Sequence, residues 1–144
     1  MEDTQVTPVE GEHVAFKRLL WAAPLAAIAA AVANAGVYFV ASVMGAMPQD
    51  FVIQGSGPIT LAPVVLSSLI GAAGAAMVFM AIALLSRRPI RTFRILVAVV
   101  LVLSFATPLT IPGSPPLMIL TLELMHVVAA VIITSMLTTL ARAT

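Results

Sequence analysis

Two side chains that can exchange a proton lie close together inside the most apolar part of this sequence. Glu123 and His126 are three positions apart in the run 117–140, which is long enough to cross a bilayer. An ionisable group inside hydrocarbon costs roughly 2.5–3.5 kcal/mol on insertion scales, so it is usually paired or functional. Glu123 and His126 are therefore the first candidates for a binding site.

The chemistry of this pair leaves three alternatives open. A neutral Glu123 carboxyl could hydrogen-bond His126, Asn34 or a serine and fix the register of the helices. His126 could ligate the metal of a haem or pigment. Haem with two histidine ligands would need a homodimer, because His13 lies in the polar N-terminal stretch. Glu123 could instead carry protons for a small transporter, as in very small multidrug exporters. A di-metal site would need several such ligand pairs, and this sequence has one.

Composition restricts the class of protein. Of the 144 residues, 61% are hydrophobic and 9% are charged, whereas a soluble domain carries about 25% charged residues. The absence of cysteine excludes disulfides and thiolate metal sites. The net charge of +1 does not favour nucleic acid as a partner. The sequence therefore predicts an integral membrane protein in a lipid bilayer.

Four apolar runs predict the fold class, which is an all-α membrane protein with four transmembrane helices in an up-and-down bundle. The predicted spans cover residues 19–44, 59–85, 93–109 and 117–140, and proline and glycine mark the connections. Residues 1–16 are predicted to form a flexible acidic tail, and residues 17–144 the transmembrane domain.

The basic residues predict the orientation. They precede the first span, belong to the connection at residues 86–94, whose end overlaps the predicted start of the third span, or follow the fourth span: Lys17, Arg18, Arg87, Arg88, Arg91, Arg94 and Arg142. Because positive charge accumulates on the cytoplasmic side, both termini are expected there. We expect a multi-pass protein of the bacterial inner (cytoplasmic) membrane, with the first six of these residues as cytoplasmic anchors.

Polar residues of all four spans fall at similar depths. Counting about 1.5 Å per residue from the outer end of each span gives about 15 Å for Asn34, 12 Å for Ser67 and Ser68, 9 Å for Glu123 and 14 Å for His126, with Ser104 also in the outer half. We predict a pocket in which Glu123, His126 and Asn34 bind a ligand and the three serines line the wall. Stripes of alanine and glycine on the first two spans would let the helices approach closely.

Several segments also carry a resemblance. The start Leu20-Trp21-Ala22-Ala23-Pro24, the proline in the second span, the arginine-rich connection and the Glu-Leu-Met-His of the fourth span resemble an uncharacterised bacterial family of small four-helix membrane proteins. The resemblance implies the architecture and no particular function.

The expected function is that of a non-enzymatic accessory or structural subunit of a larger membrane complex, with other membrane subunits or further copies of itself as partners. The alternative is a small proton-coupled transporter, or a protein that binds pigment, haem or quinone at His126. No cofactor is required by the sequence.

Overall fold

The computed structural model describes residues 14–48, 50–53 and 57–142. Four apolar segments within these residues are long enough to cross a membrane. They comprise α1 (Phe16–Val43), α2 (Leu61–Leu85), α3 (Pro89–Ser104) with its short continuation α4 (Ala106–Leu109), and α5 (Pro116–Leu140). The predicted all-α fold with four spans is confirmed. Most of the predicted acidic tail, residues 1–13, lies outside the described residues.

Helix α3 begins four residues earlier than predicted. Pro89 is its first residue, a position where the missing N–H costs nothing and the fixed φ angle suits a helix. The sequence analysis interpreted this proline as part of a longer connection, which was wrong. As a result Arg91 and Arg94 lie on the first turns of α3 rather than in the connection.

The connection between α1 and α2 holds a small antiparallel hairpin. Gly45 lies two residues after the end of α1, and its φ of 72° is the left-handed conformation that glycine adopts without steric cost. The N–H of Ala46 then donates to the carbonyl of Ala41, which satisfies an otherwise unpaired group at the helix end. Strands β1 (Val52–Ile53) and β2 (Gly57–Pro58) follow and pair with each other.

The bundle has two chemically different ends. The end that carries all seven basic residues is called the arginine end, and the end that carries the β1–β2 hairpin is called the hairpin end. At the arginine end the start of α1 meets the end of α5, because the N–H of Ala15 donates to the carbonyl of Ala141 at 2.9 Å. Val14 also forms an isolated antiparallel bridge with Arg142.

Helix α1 packs against both α2 and α5 along most of its length. Ala22, Ala26 and Ala30 form a buried stripe at four-residue spacing, and the absence of large side chains lets the neighbouring backbones approach. One apolar cluster surrounds this stripe near the arginine end, and a second surrounds Tyr38 and Met118 near the hairpin end. Asn34 lies between the two clusters along α1.

Helix α3 packs only at its beginning. Its buried residues are Pro89, Ile90 and Phe93. The ring of Phe93 contacts that of Phe79 on α2, with the centroids 4.6 Å apart. Beyond Phe93 most valines and leucines of α3 are exposed, so the rest of this helix packs only loosely against α2 and α5. Open space remains beside α3, both towards α2 and along α5.

Candidate functional site

A hydrogen bond between α1 and α2 forms the polar centre of the bundle. The Asn34 side-chain N–H donates to the Ser68 hydroxyl at 3.0 Å, and that hydroxyl donates to the Val64 carbonyl at 2.8 Å. Asn34 and Ser68 are each only 5% exposed. The amide oxygen Oδ1 of Asn34 is buried and accepts no hydrogen bond. Since such an orphan acceptor costs free energy, this atom is the clearest indication of an unfilled site.

Asn34 lies on the wall of a cavity of about 290 Å³ between α1, α2 and α5, which we call the polar cavity. Its walls also carry the hydroxyls of Ser67 and Ser68, the ring of His126 and the backbone of Gly71. The sequence analysis placed four of these residues at one depth by counting helical rise. The structure places all four of them at one cavity, although their predicted role in binding a ligand stays a prediction.

The ring of His126 is oriented by its own helix. Its Nδ1 lies 2.7 Å from the carbonyl oxygen of Leu122, one turn earlier. A carbonyl can only accept, so Nδ1 must carry the proton, and Nε2 is left with a lone pair. The side chain is exposed, and Nε2 has no hydrogen-bond partner among the described residues. His126 therefore offers the polar cavity a second acceptor beside Asn34 Oδ1, and the same nitrogen has the form required to ligate a metal.

A second cavity of about 350 Å³ adjoins the first and is called the apolar cavity. It lies between α2, α3 and α5, and it shares Gly71, His126 and Ile133 with the polar cavity. Gly74 and Ala75 supply little side-chain volume on the α2 wall, and valines and leucines of α3 form the opposite wall. Ser104 lines this cavity, but its hydroxyl donates to the carbonyl of Leu101. The two cavities, which meet at these three shared wall residues, are together called the cleft.

Glu123 is half-buried and lines neither of these two cavities. Among the described side chains no hydrogen bond joins its carboxylate to His126, Asn34 or a serine, so the polar cluster considered from the sequence is not formed. Helical side chains lean back towards the N-terminus, and Nδ1 of His126 lies against the carbonyl of Leu122, one turn earlier, rather than against Glu123.

Some contributors to the cleft were not singled out as site residues. Leu122, Met125 and Ile133 of α5 line the polar cavity, and Thr134 lines the apolar one. Thr134 has a buried hydroxyl without a hydrogen-bond partner. In an apolar run the sequence does not distinguish a residue on a cavity wall from a residue that faces lipid. The small-residue stripe containing Gly71 did indicate a close approach of neighbouring helices.

The residues predicted as cytoplasmic anchors all lie at the arginine end. The Arg18 guanidinium donates to the carbonyl of Arg142 at 2.9 Å, and that of Arg94 donates to the hydroxyl of Thr138 at 3.3 Å. Lys17, Arg87, Arg88 and Arg91 are exposed. Their side of the membrane stays a prediction.

The polar atoms of the cleft suit the head group of an organic ligand better than they suit a bare metal ion. Among residues 14–48, 50–53 and 57–142, no three histidine, cysteine or acidic side chains are grouped so that they could hold a metal. The polar cavity instead presents one accessible acceptor, His126 Nε2, and the side chain of Asn34, whose buried Oδ1 a ligand reaches only if that side chain rotates, beside an apolar compartment. This arrangement suits an amphiphile whose polar end donates hydrogen bonds.

Four helices of this length and composition define a multi-pass protein of a lipid bilayer. The chain belongs to a family of unknown function, DUF6069, whose model matches residues 14–143. The predicted membership of an uncharacterised family is thereby confirmed. No curated protein and no solved structure matches the chain.

Proposed function

We propose that this protein is a non-enzymatic accessory protein of the cytoplasmic membrane that positions an amphiphilic molecule in the cleft between α2, α3 and α5. Both termini would lie in the cytoplasm, as the basic residues of the arginine end require under the positive-inside rule. The observation that carries the proposal is the unpartnered Oδ1 of Asn34: the side chain lines the polar cavity, and its rotation would bring this buried acceptor to a ligand.

The energetics favour a ligand head group that donates hydrogen bonds. An unsatisfied buried acceptor costs about 1–3 kcal/mol, and a donor from a ligand would recover this free energy. His126 Nε2 supplies a second acceptor at the same cavity. The hydroxyls of Ser67 and Ser68 already donate to the carbonyl of Val64, so they are not free to donate to an incoming group.

The apolar cavity defines the rest of the ligand. Its volume of about 350 Å³ adjoins the polar cavity, so one molecule could extend from one into the other. A quinol has two hydroxyl donors on its ring and an isoprenoid tail, which matches this distribution. The corresponding quinone has only acceptors, so it cannot form a hydrogen bond with Asn34 Oδ1 or with His126 Nε2.

Binding of a short-chain benzoquinol to the purified protein, measured by calorimetry under reducing conditions, tests the proposal. We expect binding of the quinol to be at least about fivefold tighter than that of the quinone, since one hydrogen bond to a buried acceptor separates them. Asn34→Leu should weaken this preference, because leucine is similar in size and has no acceptor, which leaves only His126 Nε2 to discriminate between the two. Glu123→Gln is the matched control and should leave binding unchanged.

Equal affinity for quinol and quinone in the native chain would contradict the proposed ligand class. If the protein were instead a proton-coupled transporter working through Glu123, Glu123→Gln would abolish uptake. The accessory role is tested separately by native electrophoresis of gently solubilised membranes. A chain that migrates only at its own mass, without other membrane subunits, would contradict that role.

A further inference from the structure

A separate groove runs along the outside of the bundle between α3 and α5. It has a volume of about 310 Å³ and begins at Arg94 near the arginine end. Val97, Ala98 and Leu101 line it on α3, and Ala130 and Val131 line it on α5. Since no residue of α2 contributes and Ala98 and Val131 are exposed, this groove opens outwards, next to the apolar cavity, with which it shares Val97, Leu101, Ala130 and Thr134.

Arg94 is held at the mouth of this groove by a buried hydroxyl. Its guanidinium donates to Thr138 Oγ1 at 3.3 Å, and Thr138 is 0% exposed. The Thr138 hydroxyl in turn donates to the carbonyl of Thr134 at 2.7 Å. Guanidinium has five N–H donors, so most of them are left for another acceptor. A residue five positions into α3 lies about 7 Å beyond its first residue, at a depth where a phosphate group can meet it.

The charge at this end of the bundle has no acidic counterpart in the described part of the chain. The acidic residues of that part are Asp50, beside β1, and Glu123, in the half of α5 nearer the hairpin end. Arg87 and Arg88 are exposed in the connection just before α3 and add to the positive field. Arg18 and Arg91 have further interactions of their own, so nothing below depends on them.

We propose that this groove binds an anionic phospholipid, with its phosphate on Arg94 and one acyl chain along the groove. Basic pockets between transmembrane helices on the cytoplasmic side select anionic head groups for this reason. The orientation of the groove fits such a lipid, because the residues that follow Arg94 lead away from the arginine end towards the middle of the helices, as an acyl chain does. Ala98 and Ala130 leave the width that an acyl chain needs.

Native mass spectrometry of the purified chain with phosphatidylglycerol or phosphatidylcholine tests this site. We expect phosphatidylglycerol to bind more tightly, and Arg94→Gln to weaken its binding about fivefold or more, because one basic residue contributes about this factor. Arg87→Gln is the matched control, since it removes the same charge at the arginine end but does not line the groove. It should have a clearly smaller effect.

A second variant keeps the proposal testable if the loss of the bond to Thr138 disturbs the fold. Ala98→Leu fills the groove, retains Arg94 and does not touch that hydrogen bond, so it should also weaken phosphatidylglycerol binding. Equal losses in Arg94→Gln and Arg87→Gln would show a general charge effect and overturn the site. Equal binding of the two lipids, or full binding by Ala98→Leu, would overturn it as well. The quinol preference proposed for the cleft should survive in all three variants.

Discussion

Helix α1 is buried at eight positions spread from Leu19 to Ala41, whereas α3 is buried at three positions within its first five residues. The difference follows from side-chain shape. The alanine stripe of α1 lets α2 and α5 approach along its length, while the branched residues of α3 keep that helix away from its neighbours beyond Phe93. Lipid is as apolar as leucine, so exposed valines cost nothing and only good packing holds helices together.

The loose packing of α3 has a consequence for function. The apolar cavity and the Arg94 groove lie next to each other on α3 and share Val97, Leu101, Ala130 and Thr134. Both candidate binding surfaces are therefore lined by the loosely packed part of α3, and neither involves the tightly packed stripe of α1. If this comparison is right, substitutions that disturb packing should affect α1 and α3 in clearly different ways.

The largest effect is expected from Phe93→Ala. This ring is 1% exposed and contacts Phe79, so its removal leaves a cavity where α3 packs against α2. We expect a loss of about 3 kcal/mol in the free energy of unfolding, measured by titration with denaturing detergent. Phe39→Ala on α1 is the control, because Phe39 is 68% exposed and should matter by less than about 0.5 kcal/mol. Similar losses in both variants would mean that α3 is not anchored here.

A smaller effect is expected when the stripe of α1 is overfilled. Ala30 is 0% exposed, so Ala30→Leu must push α1 away from its neighbours at a cost of about 1–3 kcal/mol. The same substitution at the exposed Ala81 of α2 should be nearly neutral. The same unfolding titration compares them, and a neutral Ala30→Leu would argue against close packing at the stripe.

The architecture could be predicted from the sequence because hydropathy and small-residue spacing determine it directly. Four spans follow from apolar length alone, and the stripe of Ala22, Ala26 and Ala30 was expected to be a packing face. The start of α3 was missed because proline ends a helix in one position and begins one in another. Only the surrounding chain decides between the two, and Pro89 lies at the first position of α3.

The candidate site was less accessible to prediction. Counting helical rise placed Asn34, Ser68 and His126 at one level, and the structure brings them to one cavity. The hydrogen-bond partner of His126 could not be predicted by counting helical rise, because it depends on the rotamer of the ring and on the rotation of α5 about its axis. The sequence suggested Glu123, and the structure has the carbonyl of Leu122.

The interhelical bond of Asn34 should contribute modestly. A double-mutant cycle of Asn34→Leu and Ser68→Ala should give a coupling free energy of about 0.6 kcal/mol, typical of side-chain hydrogen bonds within membranes. Asn34→Leu alone should be close to neutral in the ligand-free protein, because it also removes the unsatisfied Oδ1. A coupling of zero would mean that the 3.0 Å contact with Ser68 does not persist in the membrane.

The smallest effect is a difference in motion between α1 and α3, and it tests the comparison most directly. The chain has no cysteine, so spin labels can be attached at chosen pairs of introduced cysteines. Val32 on α1 and Val102 on α3 are 67% and 68% exposed, and each can be paired with Leu120 on α5, which is 61% exposed. We expect the distance distribution for Val102–Leu120 to be broader than that for Val32–Leu120, because α3 has few contacts near Val102.

Phe93→Ala should broaden the Val102–Leu120 distribution further and leave the Val32–Leu120 distribution unchanged, since the ring anchors α3 alone. Two distributions of equal width in the native chain would show that α3 is held as firmly as α1. The cleft would then be a rigid cavity whose width is set by side-chain volume, rather than a space that a ligand can widen by moving α3.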